Sequence, residues 1–167
     1  MAIRSVALAG MVADTSLYNI DGACVVGGNA QARIQVGTAV TVTPDPLIDG
    51  HKVVIAGASA TLPAYGVVVR SSYETPDGAA RGQEAVNVMS HGRIWMRTSL
   101  AAKPAFGSEV FVNGSGVAVA GPASDSVFAT GWTYAGGFAT AYTPGLLPIT
   151  EEQSVDGAIV EVQVKQK

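Results

Sequence analysis

With one cysteine in 167 residues the chain cannot close an internal disulfide, and Cys24 has no second thiol with which to frame a zinc site. A small apolar filler in a reducing compartment is the expectation for it. Charge is also scarce. Asp, Glu, Lys and Arg make up 14% of the sequence against 48% hydrophobic residues, which leaves few charges to cover an exterior and favours an oligomer or a docked subunit over a free monomer. The 10 basic and 13 acidic residues give a net charge of −3 and a pI near 5.2, so there is no cationic footprint for phosphates and no nucleic acid partner is expected. Aromatics stand at 7% and are not interleaved with basic residues, which removes a stacking platform for single strands. No window of about 20 apolar residues exists, so no membrane span is expected. The start, Met1-Ala-Ile-Arg-Ser-Val-Ala-Leu-Ala-Gly10, resembles a signal peptide only thinly, since one Arg precedes an apolar run that Gly10 breaks and Asp14 ends.

What is present is glycine and proline, 20 and 8 residues, spaced so that long helices have no room. Between them lie about ten short runs rich in Val, Ile, Tyr and Phe, the residues that suit a pleated, half-buried surface. In the first run Ile34, Val36, Val40 and Val42 share a parity. In the last, Val160, Val162 and Val164 face one way while Glu161, Gln163 and Lys165 face the other. Tyr65-Gly-Val-Val-Val-Arg70 lacks alternation and reads as a strand covered on both faces. His91-Gly92 and Asn113-Gly-Ser-Gly116 read as the turns of two antiparallel hairpins. These features imply an all-β fold class, a small β-barrel or sandwich of about ten short strands over residues 33–167, preceded by an extended N-terminal arm over residues 1–32. Thr150-Glu-Glu-Gln153 could begin one turn of helix.

The same residues supply little for catalysis. Gly-x-Ser-x-Gly is absent, and His51 and His91 are the only imidazoles, neither with an orienting partner nominated by the sequence. Asp45, Asp49 and His51 cluster around Pro46 and Gly50 in a turn-like segment without the donor register of a calcium loop. Gly27-Gly28-Asn29 has no Gly-Lys-Ser/Thr after it and is not a phosphate loop. Asn113-Gly-Ser115 formally matches a glycosylation acceptor, but a hairpin turn demands the same residues. No catalytic, metal or cofactor residues are assigned. A different class, a carbohydrate-binding or adhesin-like β-domain, rests on Trp95, Trp132, Tyr134 and Tyr142 as possible sugar-stacking rings.

The order of elements resembles the capsid cement, or head decoration, proteins of tailed bacteriophages. Tyr65-Gly-Val-Val-Val-Arg70 is followed by Gln83-Glu-Ala-Val-Asn-Val-Met-Ser-His-Gly-Arg-Ile-Trp-Met96 and Pro104-Ala-Phe-Gly-Ser-Glu-Val-Phe-Val112. Thr130-Gly-Trp-Thr-Tyr134 and Gly157-Ala-Ile-Val-Glu-Val-Gln-Val164 complete the match, over roughly residues 33–165. Glycines and strand residues carry it, and the family offers no active-site residues. The resemblance implies a small β-barrel on the outer surface of a matured capsid, made in the bacterial host cytoplasm and bound to the major capsid protein. It implies a symmetric oligomer where coat subunits meet, a homotrimer before a dimer because capsid lattices offer many three-fold positions. Ile3, Val6, Leu8, Met11, Val12, Leu17 and Tyr18 of the arm would then contact the capsid, and exposed strand edges could pair with a neighbour.

Overall fold

The computed structural model describes residues 7–29, 31–44, 50–71, 78–143 and 152–165. Among them the chain is all-β. In order the strands are β1 (Val12–Val26), β2 (Arg33–Gln35), β3 (Ala39–Val42), β4 (Lys52–Ala56), β5 (Gly66–Val68) and β6 (Ala79–Arg81). Then come β7 (Ala85–Arg97), β8 (Glu109–Asn113), β9 (Ala118–Val119), β10 (Val127–Ala141), β11 (Gln153–Ser154) and β12 (Ile159–Val164).

Hydrogen bonding joins β1, β4, β3, β5 and β7 into a closed ring, because β1 pairs in parallel with β4 and antiparallel with β7. From the second half of β7 the sheet continues outward through β12, β10, β8 and β9. The outer edge of β9 does not stay open. Thr98 and Ser99, just past β7, return to Ala118, with the Ser99 amide donating to its carbonyl at 3.0 Å and the Thr98 hydroxyl at 2.9 Å. The chain itself thus takes up the Ala118 end of this edge.

The residue pattern explains this layout. In β3 and β5 successive side chains enter different cores: Ala39 and Val67 face a large cluster with Met89, Ile94, Met96, Trp132 and Val162, while Val40 and Val68 face a second one with Cys24, Val26, Val54 and Val88. Both faces are apolar because both are covered, as the unalternating run Tyr65–Arg70 implied. A fully buried Val or Leu contributes about 1.5–3 kcal/mol, so two cores sharing strands stabilise the body without disulfides. Cys24 is fully buried, and burial pushes its thiol up to about 11. It is a filler, not a reactive group.

The Asn113 turn forms as expected. Asn113 Oδ1 accepts the amides of Ser115 at 3.0 Å and Val117 at 3.1 Å. The turn sits directly on β3, with the Ala39 amide donating to the Gly116 carbonyl at 2.8 Å; a Cβ on Gly116 would overlap the Ala39 carbonyl oxygen.

His91 and Gly92, expected to form a hairpin turn, lie instead inside the continuous 13-residue strand β7. The reason is what surrounds them. Both edges of this stretch are taken by distant partners, β1 on one side and β5 then β12 on the other. Gly92 has φ +126°, and a Cβ there would lie 2.7 Å from the Cβ of Tyr18. The glycine serves a bend and a close crossing, not a reversal. The side-chain parity switches here: Met89 faces the large core from an odd position, Ile94 and Met96 from even ones.

The N-terminal boundary also differs in detail. The segment is extended, yet Val12–Val26 is a strand of the sheet and Cys24, Val25 and Val26 are core residues, so a break at residue 32 does not separate an arm from a body. Of Thr150-Glu-Glu-Gln153, Thr150 and Glu151 lie outside the described residues, as do Asp45 and Asp49 of the acidic loop, and Gln153 begins the strand β11.

Candidate functional site

Residues 7–11 lead into β1 alongside β7, the Gly10 amide donating to the Trp95 carbonyl at 2.7 Å and the Trp95 amide to the Met11 carbonyl at 3.0 Å. Ala7 and Ala9 pack on Trp95, Ala139 and Ile159. A polar clamp fixes them: Asp156 Oδ2 accepts the Ala9 amide at 3.0 Å and Arg70 Nη2 at 2.5 Å, while Arg70 Nε donates to the Ala9 carbonyl at 2.9 Å. Arg97 ties the same loop to the ring, donating to the carbonyls of Asp156 and Val36, each at 2.8 Å. Charge-assisted bonds of this kind are about twice as strong as neutral ones, so the start of β1 has a fixed origin.

Further along, β1 leaves the ladder. Four residues, 15–18, stand between Asp14 and Asn19, while their partners Arg93 and His91 on β7 have only Gly92 between them. The surplus has to bulge outward. Its ends are pinned. Asp14 Oδ1 accepts the Ser16 amide at 2.8 Å, and hydrogen bonds from the side chain and the amide of Ser16 hold the Asp14 carboxyl below its usual range. At the other end Asn19 Nδ2 donates to the buried Ser90 hydroxyl at 2.7 Å.

Two residues on, Asp21 roots the strand in the ring. Its Oδ2 accepts Lys52 Nζ at 2.8 Å and the Tyr65 hydroxyl at 2.6 Å, and its Oδ1 the Ala23 amide at 2.8 Å. Burial pushes the Asp21 carboxyl up, but these hydrogen bonds outweigh it and bring it down to about 2. Burial, with the Asp21 carboxylate behind it, pushes the Tyr65 hydroxyl up.

This framework decides where the expected contact residues stand. Leu17 is 74% exposed, Tyr18 46% and Met11 41%. Leu8 and Val12 are half-buried, and Val12 packs against the large core, so it supports the surface more than it forms it. Ile3 and Val6 lie outside the described residues. Leu17 and Tyr18, expected on an arm, stand on a bulge of a sheet strand. The local signal for that bulge is Asp14-Thr-Ser16, an acidic residue able to capture the amide two positions on.

Beside the bulge runs a groove of about 370 Å³ whose lining includes His91, Arg93, Gln163 and Lys165. A larger hollow of about 440 Å³ at one end of the ring is lined by valines and alanines with Ser71, Glu84 and Asn87. Among the described residues no three of His, Cys, Asp and Glu come together as a metal site. Of the four aromatics that suggested sugar stacking, Trp95, Trp132 and Tyr134 are buried, leaving only Tyr142 exposed.

The sequence profile of a family described as "Structural cement protein (E217 gp24/Pam3 gp6)" matches residues 2–165. The chain belongs to this family. It is a capsid-stabilising structural protein of a bacteriophage virion, and it associates with capsid proteins. A chain in the solved structure "The capsid of Myoviridae Phage XM1" superposes on this cement protein with a TM-score of 0.63, over 99% of this chain and 98% of that one; at 17% identity the likeness is one of fold. No curated protein sequence matches the cement protein.

Proposed function

We propose that the protein sits on the outer surface of the matured, expanded head, where it bridges adjacent major capsid protein subunits through β1. The observation that carries this reading is the pinned bulge, which holds Leu17 74% exposed on a strand otherwise integrated into the sheet. Burying one such leucine at a partner contributes about 1.5–3 kcal/mol, a useful increment for a contact repeated over a lattice. Met11 and Tyr18, both exposed, would add to this contact, with Leu8 and the sequence residues Ile3 and Val6 as further candidates. A homotrimer suits the three-fold positions of the lattice, with a dimer at two-folds the second choice, and synthesis takes place in the host cytoplasm.

The mechanism is linkage. A subunit that binds the expanded lattice but not separated coat proteins stabilises that lattice by RT ln(1 + [L]/Kd), about 2.7 kcal/mol per site at a hundredfold excess over Kd. Several contacts per oligomer add avidity without strong single contacts. Purified protein added to expanded heads that lack it should co-sediment with them and raise the temperature at which they release DNA. Binding without that rise would sink the stabilising mechanism, and absence of binding the whole reading. Light scattering of the free protein tests the trimer.

A further inference from the structure

The groove beside the bulge is lined by two cationic side chains, Arg93 and Lys165, and one carboxylate, Asp14. Arg93 Nε donates to Gln163 Oε1 at 3.3 Å, a contact that orients the guanidinium, while its Nη1 stands 4.0 Å from Asp14 Oδ2, beyond hydrogen-bond reach. Among the described residues the Lys165 ammonium and the His91 ring have no partner. Two carboxylates face Arg93. Asp14 lines the groove but is turned to the Ser16 amide, and Glu161 is half-buried behind it, on the same face of β12 as Gln163 and beside Gly137. The guanidinium edge and the ammonium thus face solvent next to Leu17, in a chain of net charge −3.

We infer that this groove receives a carboxylate side chain of the coat subunit while Leu17 enters an apolar socket next to it; the inference rests on the capsid-docking reading and names the chemistry of the partner. A planar guanidinium whose Nη atoms donate no hydrogen bond among the described residues, with Nη1 4.0 Å from Asp14, can still take a carboxylate in two parallel hydrogen bonds, and Lys165 adds a mobile point charge. A nucleic acid backbone is the poorer occupant, because two cations and a leucine do not follow a phosphate ladder and the rest of the chain repels polyanions. Charge of this kind sets register and encounter rate, and the leucine sets the lifetime of the contact.

The test uses full-length protein and expanded heads lacking it, with Kd measured at about 50 and about 300 mM NaCl, a range over which exposed charge pairs are progressively screened. Arg93→Gln/Lys165→Gln should weaken binding about tenfold at low salt and remove most of the salt dependence. Leu17→Ser should weaken it about tenfold at both salts and leave the salt dependence intact. An unchanged unfolding temperature shows that each variant is folded. The inference is overturned if the double variant binds like the wild type with the same salt response, or if light scattering shows that it has lost self-association, which would make the groove a contact between copies of this chain. Failure of the wild type to bind heads at all would bring down the docking reading first, and is told apart by that result.

Discussion

The turn at residues 113–116 and the bulge at residues 15–18 begin in the same way and end oppositely. In each, an Asn or Asp side-chain oxygen captures the amide two residues on, Asn113 that of Ser115 and Asp14 that of Ser16. The first then closes a hairpin and presses Gly116 against Ala39, where not even a methyl group fits. The second lifts Leu17 away from the sheet and leaves it 74% exposed. One excursion is consumed by the fold, the other is left in solvent. Local turn chemistry does not distinguish them. The neighbouring residues do, glycines that permit backbone contact in one case and a Leu-Tyr pair with no core to enter in the other.

This contrast can be broken at the turn. Gly116→Val and Gly57→Val should each cost about 4 kcal/mol or more, since the new Cβ would overlap a backbone carbonyl oxygen and both glycines have φ near +80° to +90°. Urea titration measures it, and wild-type stability in either variant would mean the turn is not seated on the ring. Asp156→Ala should come next, at about 2–3 kcal/mol, because it strips the acceptor from Arg70 and the Ala9 amide. Hydrogen exchange should then quicken in residues 7–11 while the ring strands keep their relative protection.

Acid gives a smaller effect with a definite sign. The Asp21 carboxyl sits at about 2 in the folded protein against an ordinary value of 3.8, so its contribution is fully present above about pH 4 and is lost as the pH falls toward 2. After allowance for solvent screening it amounts to about 1–2 kcal/mol. Asp21→Asn should lower stability at pH 7 and flatten the acid limb of a stability-against-pH curve; an unchanged limb would show that other carboxylates set it. The smallest effect is expected from Leu17→Ser, within about 0.5 kcal/mol of wild type in unfolding, which sharpens the comparison by separating the bulge's part in binding from any part in folding.

Much of this was legible in the residues. The even positions of β12 and the unalternating run around Val67 and Val68 announced a one-sided and a two-sided strand, and both have that burial. Asn113-Gly-Ser-Gly116 announced its own turn. What could not be read was pairing between distant segments. His91 and Gly92 carry the composition of a turn, but the close crossing of Tyr18, some seventy positions away, is what requires the glycine. The first 32 residues read as an extended arm because small apolar residues interrupted by glycines fit neither period, and it is pairing with β4 and β7 that makes Val12–Val26 a strand. Leu17 is exposed, and the bulge that presents it arises from a mismatch of spacing between two strands, which no single segment records.

The shared strand β7 has a mechanical consequence. Load entering through the proposed Leu17 contact would pass into β1, whose backbone is bonded to β7 on either side of the bulge and to β4 at its far end. Because ladder hydrogen bonds stand on both sides of the bulge, such a load would be shared by two stretches of pairing. Force entering at one protruding residue would thereby reach β7, the strand that contributes side chains to both cores.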